Sequence, residues 1–284
     1  KEWFTILIGW LVVFMGVVSS AALSTAVAGF LMDITPFSEM TLTLTVVIFL
    51  GGIALWGISE SVIFVSACTI LSVLGLILVI FSSGEALQSL PHRWEEMLPP
   101  IGAEQIILWS GIAGGAFLAF YAFIGFEDMV NIAEEVKNVR RNMPIAIITC
   151  ISLTLLLYVL VSIVSVVSVH PEILGASNTP LAEILKHNGS TMPPLVMTLI
   201  SLFAVINGAL VQIVMASRVI YGMADTGHAP ALFKKVSETT HTPIRATLSA
   251  TGIVLLLALF IDLTTLAKIT SAIILFIFAS INLA

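Results

Sequence analysis

The sequence predicts an all-α, polytopic membrane protein, and three observations predict it. Hydrophobic residues make up 58% of the 284-residue chain and charged residues only 10%, against roughly 25% charged in a soluble domain. The mean hydropathy is +1.11. The apolar residues also gather into eight runs, none alternating polar and apolar as a barrel strand would.

Each run reads as a helix. A span needs about 17 to 25 apolar residues, and the first run, 3–30, is long enough to require tilt. The second covers 40–56. The third covers 61–81, with Ser59 and Glu60 before it as an N-cap and a first-turn acid. The fourth is uncharged for 21 residues, 106–126, until Glu127 and Asp128 arrive together. The fifth, 144–167, opens on Pro144. The sixth opens on Pro194 and extends through Arg218 to 223; the seventh is 244–261 and the eighth 264–284. The segments 82–105 and 168–193 read as loops or short surface helices, not separate domains. The expectation is a single transmembrane domain over 1–284. The chain opens on Lys1, not Met, with no recognisable signal peptide, and reads as beginning inside a longer protein.

The net charge of −6 matters less than where Lys and Arg fall. With Lys1 cytoplasmic, the inner segments hold Lys1, Lys137, Arg140, Arg141, Arg218, Lys234, Lys235 and Arg245. The outer side holds Arg93, Lys186 and Lys268. Cys68 and Cys150 lie in apolar runs without paired spacing and read as small buried hydrophobes. Asn188-Gly189-Ser190 has the form of a glycosylation acceptor.

Catalytic readings lose their footing early. The five histidines fall in predicted loops, and no HExxH, Ser-His pair or phosphate-binding Gly-rich loop occurs in a span. An enzyme is not expected, nor a metal, an organic cofactor or a nucleic-acid partner; the expected partners are a small molecule and the bilayer, with the oligomeric state open. Polar residues inside apolar runs carry the information instead, because burying an ionisable group costs about 2.5 to 3.5 kcal/mol on insertion scales. Glu127 and Asp128 either mark the end of a span or adjoin a break near Gly125, and spacing leaves both readings open. Asn207 and Gln212, five residues apart, lie on different helix faces. Thr69 and Ser72 are one turn apart and can bond to their own helix. Gly111, Gly114 and Gly115 suggest close helix packing.

The stretch AFLAFYAFIGFEDMVNIAEEVKNVRRNMPIAI, 116–147, resembles the sixth helix and following loop of the amino acid–polyamine–organocation (APC) superfamily, with Val139 where the pattern has proline. ASRVIYGMADTGHAPALFKKV, 216–236, with Thr242-Pro243, is similar to the end of that family's eighth helix and its next loop. EWFTILIGWLVV resembles the third helix, and Gly57 to Ser61 the link from fourth to fifth.

The resemblance implies a LeuT-like inverted-repeat transporter fold, incomplete, holding about the third to tenth helices and lacking the first two. The fourth span then becomes a helix over 106–136, broken near 124–127. The implied substrate contacts are Tyr121, Ala122, Ile124, Gly125, Phe126 and Gln212. Tyr121 would also gate, and the Tyr121 and Ile124 carbonyls would take the substrate's α-ammonium. Glu127 would be the adjoining coupling acid. Ser72, a gating or coupling candidate, stands where some proton-coupled relatives place a lysine, which argues against that lysine mechanism and leaves sodium coupling, exchange and facilitated transport open; the coupling ion would be H+ or Na+. Gln212 replaces a tryptophan of the arginine/agmatine antiporters and argues against their pocket. The implied function is secondary transport of amino acids or related amines by alternating access, in the plasma (cell) membrane. A non-transporting sensor or structural protein of the same fold is the alternative, and an ion channel a weaker one.

Overall fold

The computed structural model describes residues 2–56, 61–88, 90–93, 106–126, 136–190, 192–240 and 242–283. Among these it is all-helical. In chain order the helices are α1 (Glu2–Met32), α2 (Glu39–Trp56), α3 (Ser61–Ser82), α4 (Gly84–Gln88), α5 (Leu90–Arg93) and α6 (Ile106–Ala119). After α6 comes a 3-10 turn (Phe120–Phe123). Then follow α7 (Val139–Ser168), α8 (Pro171–Ala176), α9 (Pro180–His187), α10 (Pro194–Asp225), a 3-10 turn (Ala231–Lys234), α11 (Ile244–Phe260) and α12 (Leu263–Leu283). Five of the described helices, α1, α2, α7, α10 and α12, are long and apolar enough to cross a membrane, and three shorter apolar stretches lie in α3, α6 with its 3-10 turn, and α11. The protein is an integral, multi-pass membrane protein.

The chain forms two compact units, one from residues 1–69 and 202–284 and the other from 70–201. In the first, α1 packs on α2, α11 and α12, and α11 packs on α2. Small residues allow this. Ser19, Ser20, Ala21, Ala22, Ser24 and Ala28 of α1 are all buried, and small side chains let helices approach where hydrophobicity alone gives them no reason to. The Ser20 hydroxyl donates to the Ala209 carbonyl of α10 at 2.9 Å. At Gly51 of α2 the approach is closest: an added Cβ would overlap the Thr251 side chain of α11, whose Oγ1 lies 3.0 Å away. The Thr242 hydroxyl, just before α11, donates to the Leu55 carbonyl near the end of α2 at 3.2 Å.

Gly111, Gly114 and Gly115 do not pack as expected. They are exposed, and a Cβ on any of them would meet nothing within 4 Å among the described residues. Spacing identifies a smooth helix face but not whether a neighbour lies against it. Cys68 is buried, but Cys150 is exposed on α7, where an apolar side chain in a span needs only lipid.

The second unit has its core where loops or short surface helices are expected. Pro171 and Pro180 open α8 and α9 at first-turn positions, where the missing N–H has no intrahelical partner to lose. Ile184 and Leu185 of α9 are completely buried, packed in one cluster with Val79 of α3, Val164 of α7 and Met197 of α10. Leu181, Ala182, Ile184 and Leu185 make one face of α9; Glu183, Lys186 and His187 make the other, with Lys186 Nζ 3.3 Å from Glu183 Oε1. His187 therefore belongs to a helix rather than a loop. Asn188, the C-cap of α9, donates from Nδ2 to Ser83 Oγ at 2.6 Å and to Ser168 Oγ at 3.1 Å. Ser83 is fully buried and donates in turn to the Val79 carbonyl. One amide thus ties the ends of α3, α7 and α9, and the nitrogen a glycan would need is committed to this network.

Two helix starts show local control. The fifth span begins at Val139, not Pro144, with Asn138 as N-cap at φ 52°, a conformation Asn tolerates better than most residues. The Asn142 amide donates to the Lys137 carbonyl at 2.6 Å and helps hold that start. At α12, the Thr265 N–H donates to Asp262 Oδ1 at 2.9 Å. The Thr265 hydroxyl, then this N–H, hold the Asp262 carboxyl below the usual carboxylate range. A lowered pKa stabilises the fold above the ordinary carboxylate pKa and loses that contribution as pH falls through the folded value. Asp262→Ala is expected to lower the melting temperature at pH 7, with the gap to wild type closing in acid. Asp262→Asn, also a good cap, keeps part of the difference. A melt series over pH in detergent checks this; an equal gap at every pH would count against it.

Candidate functional site

The candidate site is built where α6 stops. The α-helix runs only to Ala119, and the chain tightens into the 3-10 turn Phe120–Phe123. The Ile124 N–H bonds to the Tyr121 carbonyl, three residues back, at 3.2 Å. Ile124 itself is extended, at φ −64° and ψ 136°. Gly125 follows at φ 120°, a region that residues with a β-carbon rarely adopt. Each step turns backbone groups away from the α-helical ladder. A membrane tolerates such groups only where protein or a water-lined cavity receives them, so the segment is suited to offer carbonyls and N–H groups to a polar solute.

The candidate residues fall as follows. Tyr121, Ile124, Gly125 and Phe126 are half-buried in this segment, and Ala122 is exposed. The Tyr121 carbonyl receives the Ile124 N–H. The Ala122 carbonyl receives the Tyr158 hydroxyl of α7 at 2.9 Å. Ser72, on α3, is half-buried and lies with residues 120–126 in the unit formed by 70–201. Gln212, on α10, belongs to the other unit and is buried. A Cβ on Gly16 of α1 would lie 3.5 Å from Gln212 Oε1, so Gln212 faces α1. The Asn207 Oδ1 atom is buried with no protein partner among the described residues, as are Ser24 Oγ, Thr251 Oγ1 and Ser271 Oγ. Glu127 lies outside the described residues, as do Asp128 and the Ser59-Glu60 cap.

Sequence reasoning missed Tyr158. Its ring meets Phe123 edge-on, with centroids 5.2 Å apart and planes at 71°. A signal was present: Tyr158 is one of three tyrosines in the chain and stands in the middle of an apolar run. A buried phenol usually finds an acceptor.

Known proteins give this geometry a context. The cationic amino acid transporter 4, vacuolar, of Arabidopsis thaliana is 28% identical over 167 residues, covering 57% of this chain and 27% of that protein. The branched-chain amino acid permease of Bacillus subtilis is 27% identical over 200 residues, 69% of this chain and 41% of the permease. The methylthioribose transporter of Bacillus subtilis is 28% identical over 182 residues, 64% and 38% respectively. Each is named as a transporter or permease, and the matches span about a quarter to two fifths of these relatives' lengths. A family model described as amino acid permease matches residues 2–284. With that match running from the start of α1 beyond the end of α12, the chain belongs to the amino acid permease family of the APC superfamily.

Proposed function

We propose that the full-length protein is a secondary active transporter that moves amino acids or related amines by alternating access, on a LeuT-like inverted-repeat fold. The observation that supports this most is the departure from α-helix over residues 120–125, at the end of an uncharged helix. An α-ammonium needs acceptors arranged around it, and the carbonyls of Tyr121 and Ile124 provide them without placing a fixed charge in the span. In this reading Ala122, Gly125 and Phe126 shape the turn around the substrate, Tyr121 also closes over it, and Glu127 responds to protonation. Ser72 lies on the coupling side and Gln212 sets preference. The coupling ion is a proton or sodium. Residence in the plasma membrane is part of the proposal.

The relatives' names include cationic amino acids, branched-chain amino acids and a thioribose, so the test is a screen. Uptake of each amino acid class and of simple amines is measured in proteoliposomes of the full-length protein, with and without proton and sodium gradients. Saturable, counterflow-capable uptake of at least one amino acid or amine is expected. Binding without flux would overturn transport. Membrane fractionation tests the location.

Gln212→Ala is expected to shift the ratio of kcat/KM between two substrates about 10- to 200-fold, the range available to a pocket contact, with protein yield little changed. Competition uptake of paired substrates reads it. Equal losses for every substrate, in step with yield, would leave Gln212 a packing residue against α1.

A further inference from the structure

We propose that Tyr158 is a positioning residue that sets the geometry of the 120–126 segment, through one hydrogen bond and one ring contact. The proposal deepens the transporter reading and rests on it for its kinetic arm. Where the α-helical ladder gives way within an apolar stretch, carbonyls must find donors that lipid cannot supply. Tyr158 supplies one from α7, 36 residues along the chain, with its hydroxyl 2.9 Å from the Ala122 carbonyl. Its ring also braces Phe123 at 5.2 Å.

Two consecutive residues, one held by its backbone and the other by its side chain, are therefore fixed by a single side chain of α7. The residues on either side of that pair, Tyr121 and Ile124, carry the carbonyls offered to the substrate's ammonium. Tyr158 does not offer a group to that ammonium itself. It acts on the direction of the neighbouring carbonyls, because a peptide plane held at Ala122 and a ring held at Phe123 leave little freedom to the residues flanking them.

The test uses Tyr158→Phe, which keeps the ring contact and removes the hydrogen bond, and Tyr158→Leu, which removes both, in the full-length protein in liposomes. Tyr158→Phe is expected to raise the KM for uptake about fivefold, the equivalent of one net hydrogen bond, with kcat changed less than the KM. Tyr158→Leu is expected to exceed it. Hydrogen–deuterium exchange supplies a readout that needs no transport: the amides of 120–126 exchange faster in Tyr158→Phe while those of α9 stay as in wild type. Wild-type exchange at 120–126 in Tyr158→Phe overturns the proposal. So does a loss shared equally by kcat and KM that follows thermal stability. Absent uptake by the wild type would instead remove the transporter reading, and the exchange result would still decide the role of Tyr158.

Discussion

Gly125→Ala is expected to reduce uptake about 5- to 150-fold while leaving yield and membrane insertion close to wild type. The range is the equivalent of about 1–3 kcal/mol, the strain of holding a residue in a sparsely populated backbone region. Two observations set the size and the cause. Gly125 has φ 120°, and a Cβ added there would meet nothing within 4 Å among the described residues. The cost therefore comes from the backbone itself. The chain can avoid the strain by rebuilding the turn, but that redirects the Ile124 carbonyl and lowers the population of the competent site. Gly111→Ala is the control, since Gly111 is also open to its surroundings but lies within α6, where alanine favours helix over glycine. Initial-rate uptake of the same substrate by both variants makes the comparison. Wild-type kcat/KM in Gly125→Ala would mean that the turn at Gly125 is not required.

Leu185→Ala is expected to destabilise the protein by about 2–5 kcal/mol, the usual range for emptying a filled core position. Leu185 is completely buried, in one cluster with Val79, Val164, Ile184 and Met197. These side chains come from four helices, so a cavity at Leu185 loosens the joint among α3, α7, α9 and α10 together. Leu185→Met, which nearly conserves volume, is expected to cost less than about 1.5 kcal/mol. Thermal and denaturant melts in detergent, reading loss of the folded state, distinguish the two. Equal melting of Leu185→Ala and wild type would show that α9 is dispensable to that core.

The helical, membrane-embedded character was legible because an uncharged run of span length leaves a chain few alternatives in lipid. The candidate substrate segment was legible as a position, where Gly125 and two acids end such a run, but spacing alone could not separate a helix end from a break. What stayed hidden depended on partners far along the chain. The eight residues of α9 are too short a pattern to stand out from a polar segment, and only the covering of Ile184 and Leu185 reveals their weight. Tyr158 acts through a carbonyl 36 residues away, a distance no local periodicity encodes. Gly111, Gly114 and Gly115 share the spacing of a packing face but meet nothing among the described residues, whereas Gly51, in an ordinary apolar run, meets Thr251. Cys150 was misread for the same reason, since apolar context in a membrane protein does not separate core from lipid-facing surface. Pro144 misled differently: a start signal was read at the proline although Asn138 had already begun the helix.

The unit built from residues 1–69 and 202–284 is discontinuous in sequence, while residues 70–201 form a contiguous one. Synthesis runs in one direction, so this difference orders biogenesis. At about 5–20 residues per second, roughly 7 to 27 s separate the emergence of residue 69 from that of residue 202. Throughout that interval the Ser20 hydroxyl lacks the Ala209 carbonyl it will bond 189 residues later, and Gly51 has no Thr251 to face. The contiguous unit can assemble meanwhile, and α1 waits in the bilayer for the α11 and α12 surfaces it packs on. A chain stalled near residue 201 would carry one finished unit and half of another, which makes arrival of the rest of α10, α11 and α12 the decisive step in its maturation.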